Sequence, residues 1–230
     1  SIACVGAAPV NMHRKELAKM IDHTLLDPSA SRERVERLCL EAKSYDVYSA
    51  CVNPTWVPLA FSLLRASDVK VCSTVGFPLG ASLTAVKAFE AATVVGLGAA
   101  EVDMVMNIGA LKSRDHTAVR EDISQVVKAC KGAPVKVIIE TAYLDEQEKV
   151  QACKLAEDAG AAFVKTSTGF SAGGATAGDI RLLRKTVGDR LGVKASGGIR
   201  TLKDALDMIA AGATRIGTSR TVQILEECSL

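Results

Sequence analysis

Short β-branched runs recur along the chain, and each is followed by a stretch whose apolar positions return at helical spacing. The runs are residues 20–25, 47–52, 70–75, 101–107, 135–141, 163–168, 192–195 and 215–218. Their centres lie roughly 22–35 residues apart, the length of one strand plus one helix. The stretches between them carry helix start signals: Ser31 before Arg32-Glu33-Arg34-Val35, Pro54 in a first turn, and Ser82 ahead of residues 85–89. Further helices are predicted over 112–130, 145–159, Ala177–Val187 and 201–211. Gly98, Gly132, Gly160, Gly192 and Gly212 mark expected helix ends.

Eight uninterrupted strand–helix steps predict a closed (β/α)8 TIM barrel rather than an open sheet. A doubly wound sheet generally has five or six strands, and no Gly-x-Gly-x-x-Gly follows the first strand here. No linker or low-complexity stretch divides the chain. One domain is expected over residues 1–230, with about the first 19 forming an N-terminal extension and a short helix.

Composition narrows this picture little but excludes several functions. Of 230 residues, 48% are hydrophobic and only 4% aromatic, so the core is built from Ala, Val, Ile and Leu, as in parallel strands covered on both faces. The net charge of +2 is dispersed, which argues against a nucleic-acid partner. Nothing approaches the ~18 apolar residues of a membrane helix, and Ser1–Val10 lacks a basic start, so no membrane association is expected. Seven cysteines (4, 39, 51, 72, 130, 153 and 228) stand at irregular spacing with no Cys-x-x-Cys. Reduced thiols in a cytoplasm, with no metal site, fit that pattern.

The chemistry is expected where barrel strands end, because reactive groups sit there and in the loops that follow. Those ends read Asp22, Asn53, Thr74, Asp103, Glu140, Lys165, Lys194 and Gly217-Thr218-Ser219. Lys165 and Lys194 occupy strands six and seven, at positions where a filler would be Val or Ile. Burial disfavours the ammonium, and so does a second cation nearby; both lower a lysine's pKa. A neutral amine at neutral pH is what attack on a carbonyl requires. Asp103, between apolar neighbours on strand four, is placed to pass protons through a water. Asp22 either orients Lys194 or caps the barrel. Lys136 either joins this group or pairs with Glu140, four residues on. A buried lysine–aspartate pair is often structural, but two lysines on adjacent strands with an aspartate two strands away favour a functional site.

A second feature is a glycine-lined anion cup. Thr168-Gly169 ends strand six, Ser196-Gly197-Gly198 ends strand seven, and Gly217-Thr218-Ser219 ends strand eight. Backbone N–H groups can approach an anion closely there, helped by the helix after strand eight. Such turns also need glycine for geometry alone; three neighbouring loops with the pattern point to a phosphorylated small substrate. His13, His23 and His116 have no ligand spacing, and His23 is read as a satisfied core histidine. Cys51 and Cys72 are read as packed thiols.

Eight segments in order, 21–26, 52–54, 75–80, 101–107, 136–141, 163–170, 193–200 and 215–219, make the chain resemble the 2-deoxyribose-5-phosphate aldolase family over nearly its whole length. The resemblance implies reversible cleavage of 2-deoxy-D-ribose 5-phosphate to D-glyceraldehyde 3-phosphate and acetaldehyde, without a cofactor. It implies Lys165 as the Schiff-base lysine, Lys194 as its pKa-lowering neighbour and Asp103 as a proton-transfer partner, with Asp22 and Lys136 in the polar network. It implies phosphate contacts at Gly169, Gly197, Gly198 and Ser219, next to Thr168, and a homodimer or homotetramer. The chain departs from the pattern at Arg220, where many members carry a second serine; an arginine there either adds a phosphate contact or disturbs the cup. It also lacks the tyrosine with which some members end. A phosphosugar isomerase or epimerase, working through a carboxylate base, and a non-catalytic phosphosugar sensor are the competing readings.

Overall fold

Parallel strands pair in chain order and close into a barrel: β1 (Ile21–Leu25), β2 (Ser49–Val52), β3 (Lys70–Val75), β4 (Glu101–Val105), β5 (Val135–Ile138), β6 (Phe163–Lys165), β7 (Gly192–Ser196) and β8 (Arg215–Thr218), with β8 returning to β1. The computed structural model describes residues 12–229. Helices α2 (Arg32–Ser44), α3 (Val57–Leu64), α4 (Thr84–Gly96), α6 (His116–Ala129), α7 (Glu146–Asp158), α8 (Ala177–Val187), α9 (Leu202–Ala211) and α10 (Thr221–Glu227) each follow a strand; α1 (Arg14–Ala18) precedes β1 and α5 (Ile108–Lys112) precedes α6. The expected short N-terminal helix is therefore α1. The first part of the expected extension, Cys4 included, lies outside the described residues.

The fold follows from the two-sided burial of the strands. Val102, Met104, Val137, Val164, Val193 and Ile216 are buried with the inner faces of the helices, the arrangement that near-continuous apolar strands demand. Helix starts are set by side-chain caps: Asp145, Thr176 and Thr201 each accept a hydrogen bond from a backbone N–H in the first turn of α7, α8 and α9. Gly98, Gly132, Gly160 and Gly212 all have positive φ, as expected after a helix.

Several expected boundaries move. The helix predicted over 112–130 is two helices, because the chain turns at Arg114 (φ 58°) and Asp115 caps a fresh start by accepting from the Ala118 amide at 3.0 Å. Gly192 does not end a helix: it opens β7, and α8 stops at Gly188. The third predicted helix starts at Thr84, with Leu83 rather than Ser82 at its cap. The run 135–141 yields only four strand residues, because Glu140 adopts a left-handed φ of 54°. Among the described residues, no helix is long and apolar enough to cross a membrane.

Candidate active site

Strand register brings the charged residues of the barrel interior together. Asp103 on β4 pairs with Lys136 on β5, and Lys165 on β6 with Lys194 on β7. Asp22 on β1 pairs with Gly217 on β8. That glycine leaves room for Lys194: a Cβ there would stand 2.8 Å from the Lys194 Cε.

The contacts form one network. Asp103 Oδ2 accepts from Lys165 Nζ at 2.8 Å and from Lys194 Nζ at 2.8 Å, so the two amines lie within twice that distance of each other. Asp103 Oδ1 is 3.1 Å from Lys136 Nζ and accepts from the Cys72 thiol at 3.3 Å. Asp22 Oδ2 accepts from Lys194 at 2.6 Å and Lys136 at 2.7 Å, while its Oδ1 accepts from Arg215 at 3.1 Å and Ser49 at 2.7 Å. Glu101 receives Arg215 at 2.7 Å and lies 3.0 Å from Lys136. Four cations thus meet three carboxylates, and all seven side chains are buried.

The electrostatic balance corrects one expectation. Burial does oppose the charge on Lys194 and Lys136, but Asp103 and Asp22 outweigh it, and both lysines hold their protons more tightly than a free lysine. Burial likewise disfavours the Asp22 and Asp103 carboxylates, yet the surrounding cations keep both well below the ordinary range, Lys136 contributing most in each case. Strand position alone reveals desolvation but not the carboxylates that reverse it.

A consequence for stability follows from the signs. Asp22 and Asp103 have folded pKa values below the unfolded value of about 3.9. Their contribution is complete above that pH and is lost as the pH falls toward the folded values. Lys136 and Lys194 are raised, so theirs is complete below about pH 10.4 and is lost as the pH rises through the folded values. The melting temperature is expected to be highest between about pH 5 and 9 and to fall steeply in acid. Thermal denaturation across pH checks this; a melting temperature unchanged between about pH 6 and 3 contradicts it.

Asp22 contacts Lys194 directly, as one of its two readings expected. Lys136 belongs to the same cluster and does not pair with Glu140. Glu140 is turned away by its left-handed backbone and accepts from the Thr168 hydroxyl at 2.5 Å and from Ser171 at 3.1 Å. Two members of the cluster, Glu101 and Arg215, escaped the sequence reading. Their signal was a charged residue at the first position of a barrel strand.

Above the cluster lies a cavity of about 480 Å³. Of the cluster lysines, only Lys165 lines it; the walls include Thr168, Gly169, Gly197, Gly198, Ser219 and Arg220, so every expected cup residue is here. Gly169, Gly197 and Gly198 have φ of 85°, 87° and 77°, a conformation that glycine adopts without strain. Among the described residues, the amides of Gly169, Gly197, Gly198 and Ser219 donate to no protein acceptor. Those four N–H groups remain available to an anion. Phe77 and Phe170 meet edge to face, with ring centroids 5.5 Å apart, and Phe170 forms part of the wall.

The thiols of Cys51 and Cys72 lie in register on β2 and β3 and, with Asp103, offer ligand atoms within 4.8 Å of one another. Burial holds the Cys72 thiol protonated, and Lys136 Nζ lies 3.5 Å from its sulfur. Ammonium groups already supply the positive charge here. The six cysteines among the described residues are free and buried. His23 points away from the cluster; its Nε2 bonds Glu41 at 2.7 Å, but its Nδ1 has no partner, so the expected satisfied histidine is half satisfied.

Residues 17–221 match the model of the DeoC/LacD family of aldolases. The chain is 59% identical over 212 residues to a deoxyribose-phosphate aldolase of Lysinibacillus sphaericus, covering 92% of this chain and 95% of that one. It is 60% identical over 213 residues to the enzyme of the same name from Halalkalibacterium halodurans, at 92% and 95% coverage. The solved deoxyribose phosphate aldolase of Aeropyrum pernix, described as having a unique tetrameric structure, superposes with a TM-score of 0.88 at 39% identity, covering 93% of this chain and 91% of that one.

Proposed function

Since the chain belongs to the DeoC/LacD aldolase family, we propose that it is a class I aldolase that reversibly cleaves 2-deoxy-D-ribose 5-phosphate to D-glyceraldehyde 3-phosphate and acetaldehyde. The observation that carries this reading is the placement of Lys165: it lines the cavity and shares one oxygen of Asp103 with a second lysine. Lys136 and Lys194 hold their protons tightly and do not line the cavity, so Lys165 is the cluster lysine that a substrate reaches.

The steps balance on these residues. The Lys165 amine adds to the C1 aldehyde of the open sugar, and the carbinolamine loses water to give an iminium. The C2–C3 bond then breaks: the C3 hydroxyl gives up its proton to become the aldehyde of D-glyceraldehyde 3-phosphate, and the bonding electrons pass to the iminium as an enamine. Protonation at C2 and hydrolysis release acetaldehyde and restore the amine. Asp103 touches the reacting nitrogen directly and serves the proton transfers. Lys194 and Asp22 fix the charge and position of Asp103, and Lys136 completes the same network.

The phosphate sits in the cup of Gly169, Gly197, Gly198 and Ser219, with Thr168 bracing the turn and Arg220 adding a cation at the start of α10. An isomerase would use a carboxylate base, but Asp27 is the acidic residue of the cavity wall and it is bound to Arg34. No organic cofactor has a role in this scheme. Free buried thiols support a cytoplasmic location, and a homodimer or homotetramer is the proposed assembly.

The test is borohydride reduction with 2-deoxyribose 5-phosphate or acetaldehyde, followed by peptide mass mapping, alongside an assay of aldehyde release. The expected adduct is on the Lys165 peptide. Substrate bound without an adduct would remove the Schiff base from the account, and an adduct on Lys194 would exchange the roles of the two lysines.

A further inference from the structure

Arg34 belongs to none of the strands or strand-end loops that build the cup. It is the third residue of α2, yet its side chain lines the same cavity as Lys165 and Ser219. Arg34 and Ser219 also both line a smaller cavity of about 180 Å³ behind the β1–β8 wall, so the two residues stand in one partition. Arg34 Nη1 donates to Asp27 Oδ2 at 2.8 Å. Asp27 is itself fastened by its own turn: its Oδ1 accepts from the Ser29 amide at 2.8 Å and the Ser29 hydroxyl at 2.7 Å.

The guanidinium has five N–H donors in a rigid fork, and this ion pair occupies one. Both side chains are half exposed, so the pair by itself contributes little stability. The pair instead fixes where the charge is held. Resting on the phosphosugar reading above, we infer that Arg34 is a specificity-determining residue, contributing a charge-assisted contact to the substrate's phosphate, with Asp27 as its positioning residue. The Arg34 hydrogen bond, together with those from Ser29, holds the Asp27 carboxyl down to about 2, so the latch persists throughout the neutral range. Cup amides bind an oxyanion of any origin; a cation fixed at the wall favours the phosphorylated sugar over its free counterpart.

Arg34→Gln and Arg34→Lys, compared with the wild type on 2-deoxyribose 5-phosphate and on unphosphorylated 2-deoxyribose, test this. In Arg34→Gln the ratio of kcat/KM between the two sugars is expected to fall roughly tenfold, through KM rather than kcat. The inhibition constant of inorganic phosphate should rise in step. Arg34→Lys keeps the charge without the fork and should lose less. Equal losses on both sugars, or an unchanged ratio, overturn the assignment. If the wild type cleaves neither sugar, the aldolase reading fails on its own; calorimetric titration of inorganic phosphate into wild type and Arg34→Gln then still decides the role of Arg34, with equal affinities overturning it.

Discussion

Lys165→Leu is expected to fold normally and to lose aldol cleavage by a factor on the order of 10⁴ or more, as removal of the nucleophile from a covalent mechanism does. The normal folding follows from the charge count. The cluster holds Lys136, Lys165, Lys194 and Arg215 against Asp22, Glu101 and Asp103. Removing Lys165 leaves three of each sign, and Asp103 keeps contacts with Lys136 and Lys194. Removal of a charge that leaves its partner satisfied avoids the large penalty of an orphaned buried ion. The measurement pairs steady-state cleavage with thermal denaturation and borohydride trapping. A melting temperature close to wild type, no adduct and no turnover is the expected result. Retention of more than about 1% of wild-type turnover in a folded protein would refute the nucleophile assignment.

The barrel and the lysines were legible for a simple reason. A charged residue inside an apolar strand costs desolvation, so it stands out wherever the strand pattern is clear. Lys165 and Lys194 were visible on those grounds, and their adjacency followed from chain order alone. What one strand cannot reveal is who faces it across the barrel. Asp22 and Asp103 come from β1 and β4, and it is they that tighten the protons of Lys136 and Lys194. One of the two readings of Lys136 paired it with Glu140, because residues four apart on a strand share a face, but the left-handed turn at Glu140 breaks that relation. Arg34 was invisible as a site residue: it lies on a helix, 131 positions before Lys165 in sequence, and only tertiary packing puts it at the wall. The break at Arg114 had a signal that went unread: residues 112–117 are all polar, and Asp115 among them is a helix-capping residue type.

Asp103→Asn is expected to damage both rate and stability, and the two effects can be read apart. With the carboxylate gone, four buried cations face two carboxylates, and the new amide presents donors to groups that can only donate. Leaving buried charge unpaired in this way costs about 3–5 kcal/mol, and somewhat less if one lysine sheds its proton. At roughly 2–4 °C per kcal/mol for a chain of this size, the melting temperature should fall by about 6–20 °C. The rate should fall by about 10²–10⁴, because Asp103 is the acidic group in contact with the reacting nitrogen. Borohydride trapping separates the steps. If the adduct on Lys165 forms slowly, Asp103 acts in building the iminium; if it forms at the wild-type rate while cleavage stays slow, Asp103 acts on the enamine. A folded Asp103→Asn variant with kcat within about threefold of wild type would move proton transfer to another group and leave Asp103 the structural centre of the cluster.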